Sequence, residues 1–578
     1  MWLSAVRTLR TLLLLAAVPA TSSSSAAFPE WCYSMKVWPF DLLFPDTSDS
    51  DIRENLDRAR DKGANTVIFY IEEEQMYGTI VDDVGWSRIL NRIGYLITQA
   101  HPRKLKVIVY LNGLEVMAHD ACNDESVPTL ARAHPDWLQL DIKRRPMAWT
   151  CIENDWITED MEDAWASPYS GFRDLIKRRL KDLGGKGLDG VYVDQASLPG
   201  LQDFGDNWAS ADSGFSAAFR SRYGLKVPAS TNWSSVAWRK FVYFRHEAIV
   251  DYLGDLATTA RAYGIEPFFE ASSNDTRDGT LLGNDPAMTV TAGIAYSPEI
   301  EPEGDFSAAF RMAKFARDIS PTQPILYLGW PASLVNARKE FAIATAVSGN
   351  YYPTADSPYP SGAFKFLDSL RAPVLNRRTP YAEAALMYSA RNKDWTYPTD
   401  ATFEAYTQAF VSLAESHVPF RIVSLESITA ADIERIGSIV LAEIASLSDA
   451  EFDLLKTHPV ALVGDNGTRD EWYRPRKQPL QFPTTVPIST IKSELPFQLT
   501  APAQTYIEYF TDASNRNRFF LFAFTPDKSG SIELKFTSAL TAKLYELDRR
   551  PRTLRGATIT IPIQDYLEVI DLTGSFVR

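Results

Sequence analysis

Asp194 stands next to last in the stretch Gly-Leu-Asp-Gly-Val-Tyr-Val-Asp-Gln (187–195), and that stretch carries more chemistry than any other of its length in the chain. Residues 190–193 are short, β-branched and aromatic, the composition of a buried strand that delivers the carboxylate at its carboxyl end. The preceding residues 169–183 have apolar positions at helical spacing and stop at Gly184-Gly185. Helix, glycine stop, buried strand and acid is the order of a parallel α/β unit, in which reactive groups collect at strand carboxyl ends. The pattern returns in Gly-Ile-Glu-Pro-Phe-Phe-Glu-Ala-Ser-Ser-Asn (264–274), which places Glu270 at the end of another strand. Two carboxylates on neighbouring strand ends, with no metal-ligand cluster around them, suit cleavage of a glycosidic bond. An aspartate held by hydrogen bonds stays ionised and attacks the anomeric carbon. A glutamate desolvated against Phe268 and Phe269 has the raised pKa that a proton donor needs. The competing roles are Asp194 as a structural carboxylate anchoring the next loop and Glu270 as a substrate-binding or salt-bridged acid.

Eight strand signals are available to position such a pair. They end at Trp38 (KVWPF), Glu72 to Glu74 (NTVIFYIEEE), Asn112 (LKVIVYLN), Asp194, Glu270, Glu299 and Glu301 (AGIAYSPEIE), Trp330 (ILYLGW) and near Tyr351 (GNYYP). Amphipathic stretches at 50–62, 86–100, 238–263 and 306–318 lie between them. Strands alternating with helical crossovers predict a (β/α)8 barrel over 28–377. A doubly wound sheet would carry a glycine-rich phosphate turn after its first strand, and WPFDLL is not one. Residues 116–166 form a connection far longer than the 2–6 residues usual in such a barrel, and long loops tend to be functional. Trp137 and Trp149 in this loop are the expected platforms for a sugar face; packing the loop down is the alternative for each. Trp38, Glu72, Asn112, Gln195, Glu299, Glu301 and Trp330 are the other expected sugar contacts. Of the run 72–74, a pleat puts at most Glu72 and Glu74 on one side.

After residue 378 the units shorten. Alternating β and α signals over 378–473 predict a flavodoxin-like parallel domain. It holds no cysteine, which rules out an amidotransferase-type nucleophile and leaves a structural or oligomerising role. Alternating strands over 474–578 predict an antiparallel β-sandwich. A net charge of −14 and a pI near 5.1 make nucleic acid and anionic membranes poor partners. Arg7 and Arg10, a short apolar run and a small-residue tail give 1–27 the layout of a signal peptide. That predicts a secreted protein, extracellular or periplasmic, without membrane insertion. The three cysteines leave room for one bridge, Cys122 to Cys151 within the long loop, or are all free and buried. The six histidines show no metal-binding spacing, so no metal or other cofactor is expected. Asn232, Asn274 and Asn466 stand in glycosylation sequons.

The stretches GANTVIFYIEEE, HPDWLQLDIKRRP, SPYSGFRDLIKRRLKD followed by GLDGVYVDQ, and FSAAFRSRYGLKVP resemble the barrel enzymes grouped as hypothetical glycosyl hydrolase family 6. They also resemble the wider group around the family-42 β-galactosidases. The order barrel, flavodoxin-like piece, β-sandwich is similar across that group, and the likeness covers most of the chain. It implies a carbohydrate substrate and a flavodoxin-like piece similar to the trimerisation domain of the β-galactosidases, hence self-association. One departure matters. The family-42 enzymes carry an Asn-Glu pair at the fourth strand and a nucleophilic Glu at the seventh. Here the fourth strand ends Asp194-Gln195 and the seventh ends Leu328-Gly329-Trp330, so that mechanism does not transfer by position. The arrangement is closer to the α-amylase and α-galactosidase clans, whose fourth strand supplies a nucleophilic Asp. In the amylases the fifth strand supplies a Glu acid/base, which corresponds to Glu270. The expectation is a glycoside hydrolase of retaining type. A carbohydrate-binding barrel without turnover is the second hypothesis, and a metal-dependent deacetylase or lyase-like enzyme ranks below both.

Overall fold

The computed structural model describes residues 27–71, 76–151, 160–199, 207–271, 277–300, 304–354 and 358–574. The expected signal peptide, apart from Ala27, and the expected sugar contacts Glu72 and Glu301 lie outside the described residues.

Among the described residues, eleven strands build the first part of the chain. They are β1 (Val37–Leu43), β2 (Thr66–Ile71), β3 (Lys106–Asn112), β4 (Glu115–Ala118), β5 (Ala148–Thr150), β6 (Glu162–Trp165), β7 (Gly190–Asp194), β8 (Glu266–Ala271), β9 (Ala295–Pro298), β10 (Leu328–Gly329) and β11 (Tyr352–Pro353). β1, β2, β3, β7, β8 and β9 pair in that order, all parallel, as one curled sheet. β10 and β11 form a further parallel pair. Isolated parallel bridges, Glu299 to Leu328 and Lys36 to Tyr351, join that pair to β9 on one side and to the start of β1 on the other.

Strict alternation sorts the strand residues into two cores. Val37, Ile68, Ile108, Tyr192, Phe268 and Leu328 face inward into one cluster, closed at the amino-terminal ends of the strands by Phe28 and the buried free thiol of Cys32. Val67, Val107, Val191 and Phe269 face outward into the larger core shared with the helices. The helices Asp49–Lys62, Asp83–Ala100, Gly171–Gly185, Phe306–Ile319 and Leu334–Val347 start where Ser48, Asp82, Ser170, Asp305 and Ser333 accept a backbone N–H. Each cap ties the return helix to the chain as it leaves a strand. The reactive ends of the strands therefore open onto one face.

The long connection after β3 is not a bare loop. β4, β6 and β5 form a small antiparallel sheet in that order beyond the end of β3. Cys122 and Cys151 are joined by a disulfide with their Cα atoms 5.3 Å apart, which closes the connection on itself.

The rest of the chain adds β12 (Arg378–Pro380), β13 (Ala384–Tyr388), β14 (Phe420–Ser424), β15 (Ser438–Ala442), β16 (Val460–Val463), β17 (Gln498–Thr500), β18 (Tyr506–Asp512), β19 (Asn515–Phe524), β20 (Ser531–Glu546), β21 (Arg552–Pro562) and β22 (Leu567–Thr573). β14, β13, β15 and β16 form a separate parallel sheet in that order. The others form an antiparallel sheet in the order β12-β18-β19-β22-β20-β17, with β21 on β20, around a core that includes Leu521, Leu544 and Ile570. Two boundaries differ from the expected 378 and 474. Residues 378–380 belong to the antiparallel sheet, because Arg378 pairs with Asp512 on β18 and Arg377 donates to the Asp512 carboxylate at 2.7 Å. Residues 484–486 instead hydrogen-bond along Val460, at the edge of the parallel sheet.

Candidate active site

Asp194 and Glu270 face inward from adjacent strands, β7 and β8. The pairing of Val193 with Phe269 makes the two acids lateral neighbours. Both are nearly inaccessible, at 6% and 5% exposure. Their carboxyls are in hydrogen-bond contact with each other. The Gln195 N–H donates to Asp194 Oδ1 at 2.7 Å, and the Tyr110 hydroxyl donates to Glu270 Oε2 at 2.8 Å. Gln195 thus acts through its backbone, which turns in the left-handed region at φ 46°. Gly113 is required beside it: a Cβ there would lie 2.4 Å from the Asp194 carbonyl oxygen.

This setting separates the two acids electrostatically. Burial, followed by the charges of Asp194 and Glu299, pushes Glu270 well above the usual carboxylate range. Burial also raises Asp194, but its contacts with Glu270, the Gln195 N–H and Tyr110 pull it back. Two acids in hydrogen-bond contact share a proton, and Glu270 is its carrier. Asp194 is therefore less freely ionised than a strand-end aspartate alone, and it owes its ionisation to its neighbour.

Beneath the pair lies a layer of tyrosines that sequence reasoning missed. Tyr70 and Tyr110 lie 4.5 Å apart between ring centroids, and Tyr110 stacks on Tyr192 at 4.8 Å. The hydroxyls of Tyr70 and Tyr352 are 2.7 Å apart, and Tyr192 donates to Ser297 Oγ at 2.9 Å. The signal was present as period two: Tyr70, Tyr110 and Tyr192 each stand two residues before Glu72, Asn112 and Asp194.

The other expected contacts divide. Asn112 is level with Asp194 in the sheet but fully buried, with its amide donating to the Glu115 carbonyl at 2.7 Å. Glu299 is half-buried and close enough for its charge to act on Glu270. Trp330 is 45% exposed just beyond β10. Trp38 is not at a strand end, because β1 continues to Leu43. Its side chain points outward, its indole N–H donating to Asn55 Oδ1 at 3.0 Å on the neighbouring helix, so it does not line the mouth. Trp137 is spent on packing: it stacks on His134 at 3.8 Å and rests where Gly171 leaves room. Trp149 is half-buried against Met76, Met117, Met147 and Met161. Phe268 lies on the same inward side as Glu270, whereas Phe269 faces the outer core, so only Phe268 helps to desolvate the acid.

A second buried acid pair sits in the small sheet. Asp163 on β6 accepts from the Trp165 indole at 3.1 Å and contacts Glu115 on β4. Burial pushes its carboxyl up to about 7, against those two hydrogen bonds, and the charge of Glu162 adds to the rise.

No protein-family model matches the chain, and no curated protein does. Among solved structures, an exo-β-1,4-mannosidase from an Opitutaceae bacterium overlays 93% of this chain and 88% of its own, at 11% identity and a TM-score of 0.42. A β-galactosidase from the Antarctic haloarchaeon Halorubrum lacusprofundi overlays 93% of this chain and 99% of its own, at 10% identity and a TM-score of 0.59. At that identity the likeness is one of fold, and it extends over nearly the whole of both chains.

Proposed function

We propose that this chain is a secreted glycoside hydrolase with a (β/α)8 barrel, a flavodoxin-like unit and a β-sandwich, and that Asp194 and Glu270 carry its chemistry. The observation that carries the reading is the buried acid pair itself, laterally placed on adjacent strand ends, in which burial and the charge of Asp194 raise Glu270 well above the usual carboxylate range. The shared fold with a β-galactosidase supports it. In the proposed cycle Glu270 gives its proton to the glycosidic oxygen as the bond to the anomeric carbon breaks, and Asp194 attacks that carbon to form a glycosyl ester. Glu270, now ionised, takes a proton from water, whose oxygen displaces Asp194 and restores both acids. Adjacent strands lie about 4.8 Å apart. That spacing matches the carboxyl separation of retaining enzymes, about 5–5.5 Å, once the sugar parts the two touching side chains.

The contact between the carboxyls favours a second reading, a carbohydrate-binding barrel in which the pair never opens. One experiment separates the two. Hydrolysis by the enzyme should fall by about 10²–10⁴ in kcat on Asp194→Ala. Glu270→Ala should spare aryl glycosides with good leaving groups, lose natural glycosides, and recover rate with added azide. Near-parental turnover by Asp194→Ala would remove the nucleophile assignment, and carbohydrate binding with no turnover by the parent would establish the binding barrel.

A further inference from the structure

A cavity of 380 Å³ lies among Asp141, Lys143, Trp208, Trp233, Arg277 and Tyr397. All of these residues but Tyr397 come from segments at the face onto which the strands open. Asp141 and Lys143 follow β3, Trp208 follows β7, and Arg277 follows β8. Trp233 precedes the helix Val236–Ala262 that returns from that face, and Tyr397 is brought in by the helix Ala390–Thr396 after β13. The volume falls at the lower end of the about 300–1,000 Å³ of small-molecule sites.

The lining combines an aromatic wall with a positive charge that no described residue pairs. Trp233 and Tyr397 stack at 5.8 Å, and Trp208 meets them edge-on at 5.6 and 5.9 Å. The Arg277 guanidinium lies 4.5 Å over the Tyr397 ring and is paired with Asp400 at 3.0 Å. The Asp141 carboxylate is taken up by the Arg145 guanidinium at 2.7 Å and by the backbone N–H groups of Lys143 and Arg145. The Lys143 ammonium has no hydrogen-bond or ion-pair partner among the described residues and is exposed. One positive charge is therefore left over at an aromatic cavity, on a chain whose net charge is −14.

We propose that this cavity is a subsite for an acidic sugar, a uronate unit whose C–H face lies on the Trp233 side of the aromatic wall and whose carboxylate meets Lys143 beside Arg277. A pyranose offers an apolar face to a π-system, and a carboxylate is the group that Lys and Arg recognise by charge-assisted hydrogen bonds. The inference rests on the carbohydrate reading for the kind of ligand and adds to it that the substrate is acidic.

The test is calorimetric titration of the full chain carrying Asp194→Asn, which removes turnover, with a trimer of galacturonic acid and with the same trimer after reduction of its carboxyls. The acidic trimer should bind more tightly. Lys143→Glu, at an exposed position, should weaken its binding by roughly ten-fold or more while leaving the reduced trimer and the melting temperature unchanged. Equal affinity for the two trimers, or an acidic-trimer affinity unmoved by Lys143→Glu, overturns the subsite. A parent enzyme that cleaves a neutral glycoside but binds neither trimer overturns the subsite and leaves the catalytic reading intact. Loss of acidic-trimer binding in Lys143→Glu, in a parent that turns over no glycoside, supports the subsite and overturns the catalytic assignment alone.

Discussion

Asp163 shows how strongly burial acts on single carboxyls in this fold. Its ordinary value of 3.8 is pushed up to about 7, so the folded chain keeps a proton that the unfolded chain releases at lower pH. The sign follows from linkage. The stability that this proton contributes is complete below 3.8 and is lost as pH rises through about 7. Asp163→Asn removes the proton step while keeping an acceptor for the Trp165 indole. Urea unfolding across this pH range should therefore give a flatter profile for the variant, with a gain above pH 7 on the order of a few kcal/mol. A variant profile parallel to that of the parent would mean that Asp163 titrates normally. Glu270 is raised by the same cause, but there the cost serves chemistry: burial that would only destabilise a structural acid keeps this one protonated above Asp194.

At the scale of elements, the contact between β10 and the helix Leu334–Val347 is decided by one missing side chain. A Cβ on Gly329 would sit 2.4 Å from the Glu340 carboxyl carbon. That carboxyl is fully buried, neither oxygen has a hydrogen-bond partner among the described residues, and burial pushes it well above its usual range. Gly329→Ala should destabilise by about 1–3 kcal/mol through overpacking. Glu340→Ala removes the obstructing group, so the double variant should cost less than the sum of the singles by at least about 0.5 kcal/mol. Strict additivity in that cycle would place Glu340 elsewhere. The small sheet after β3 is held by the same economy of short elements. β4, β5 and β6 are three or four residues each, too short to stand alone, and the disulfide between Cys122 and Cys151 ties the chain just after β4 to the end of β5 across a 29-residue separation.

Across the whole molecule, the curled sheet and the second parallel sheet are joined by buried charge. His246 Nε2 lies 2.9 Å from Asp394 Oδ2, and Thr280 donates to Asp394 Oδ1 at 2.8 Å. Lys393 pairs with Asp285 at 3.1 Å, and Tyr388 donates to the same Asp285 oxygen at 2.6 Å. Burial works against charge on Asp394, but the His246 ring, Lys393 and Thr280 together hold its carboxyl below the usual range. A second junction lies on the helix Phe306–Ile319, where Lys314 and Arg317 bind Glu508 on β18 and Asp318 accepts the Ile422 N–H of β14 at 2.8 Å. The unit around β13 to β16, expected from its lack of a cysteine nucleophile to be structural or oligomerising, is thus built into the support of the curled sheet. Lys393→Ala leaves two buried carboxylates short of a cation and should cost about 3–5 kcal/mol by denaturant unfolding. Deletion of 378–473 should leave the curled sheet unfolded. A deletion variant that melts at the parental temperature would show the two sheets to be independent.

The sequence by itself determined the main alternation of strands and helices and which strand ends carry Asp194 and Glu270; the small sheet β4-β6-β5 and the places where parallel pairing gives way to antiparallel were decided by the tertiary structure. The first two depend on patterns within about ten residues, alternation, apolar spacing, glycine stops and side-chain caps, and such patterns act locally. Even the tyrosine layer was legible in principle as a two-residue offset from each strand end. The direction of Trp38, the packing of Trp137 and the burial of Asn112 were not, because a side chain's neighbour belongs to another element. The same holds for the chemistry. Tyr110 and Glu270 are 160 residues apart in the chain and 2.8 Å apart in space. Only the curled sheet brings them together, and its burial, followed by the charges of Asp194 and Glu299, raises Glu270 above the usual carboxylate range.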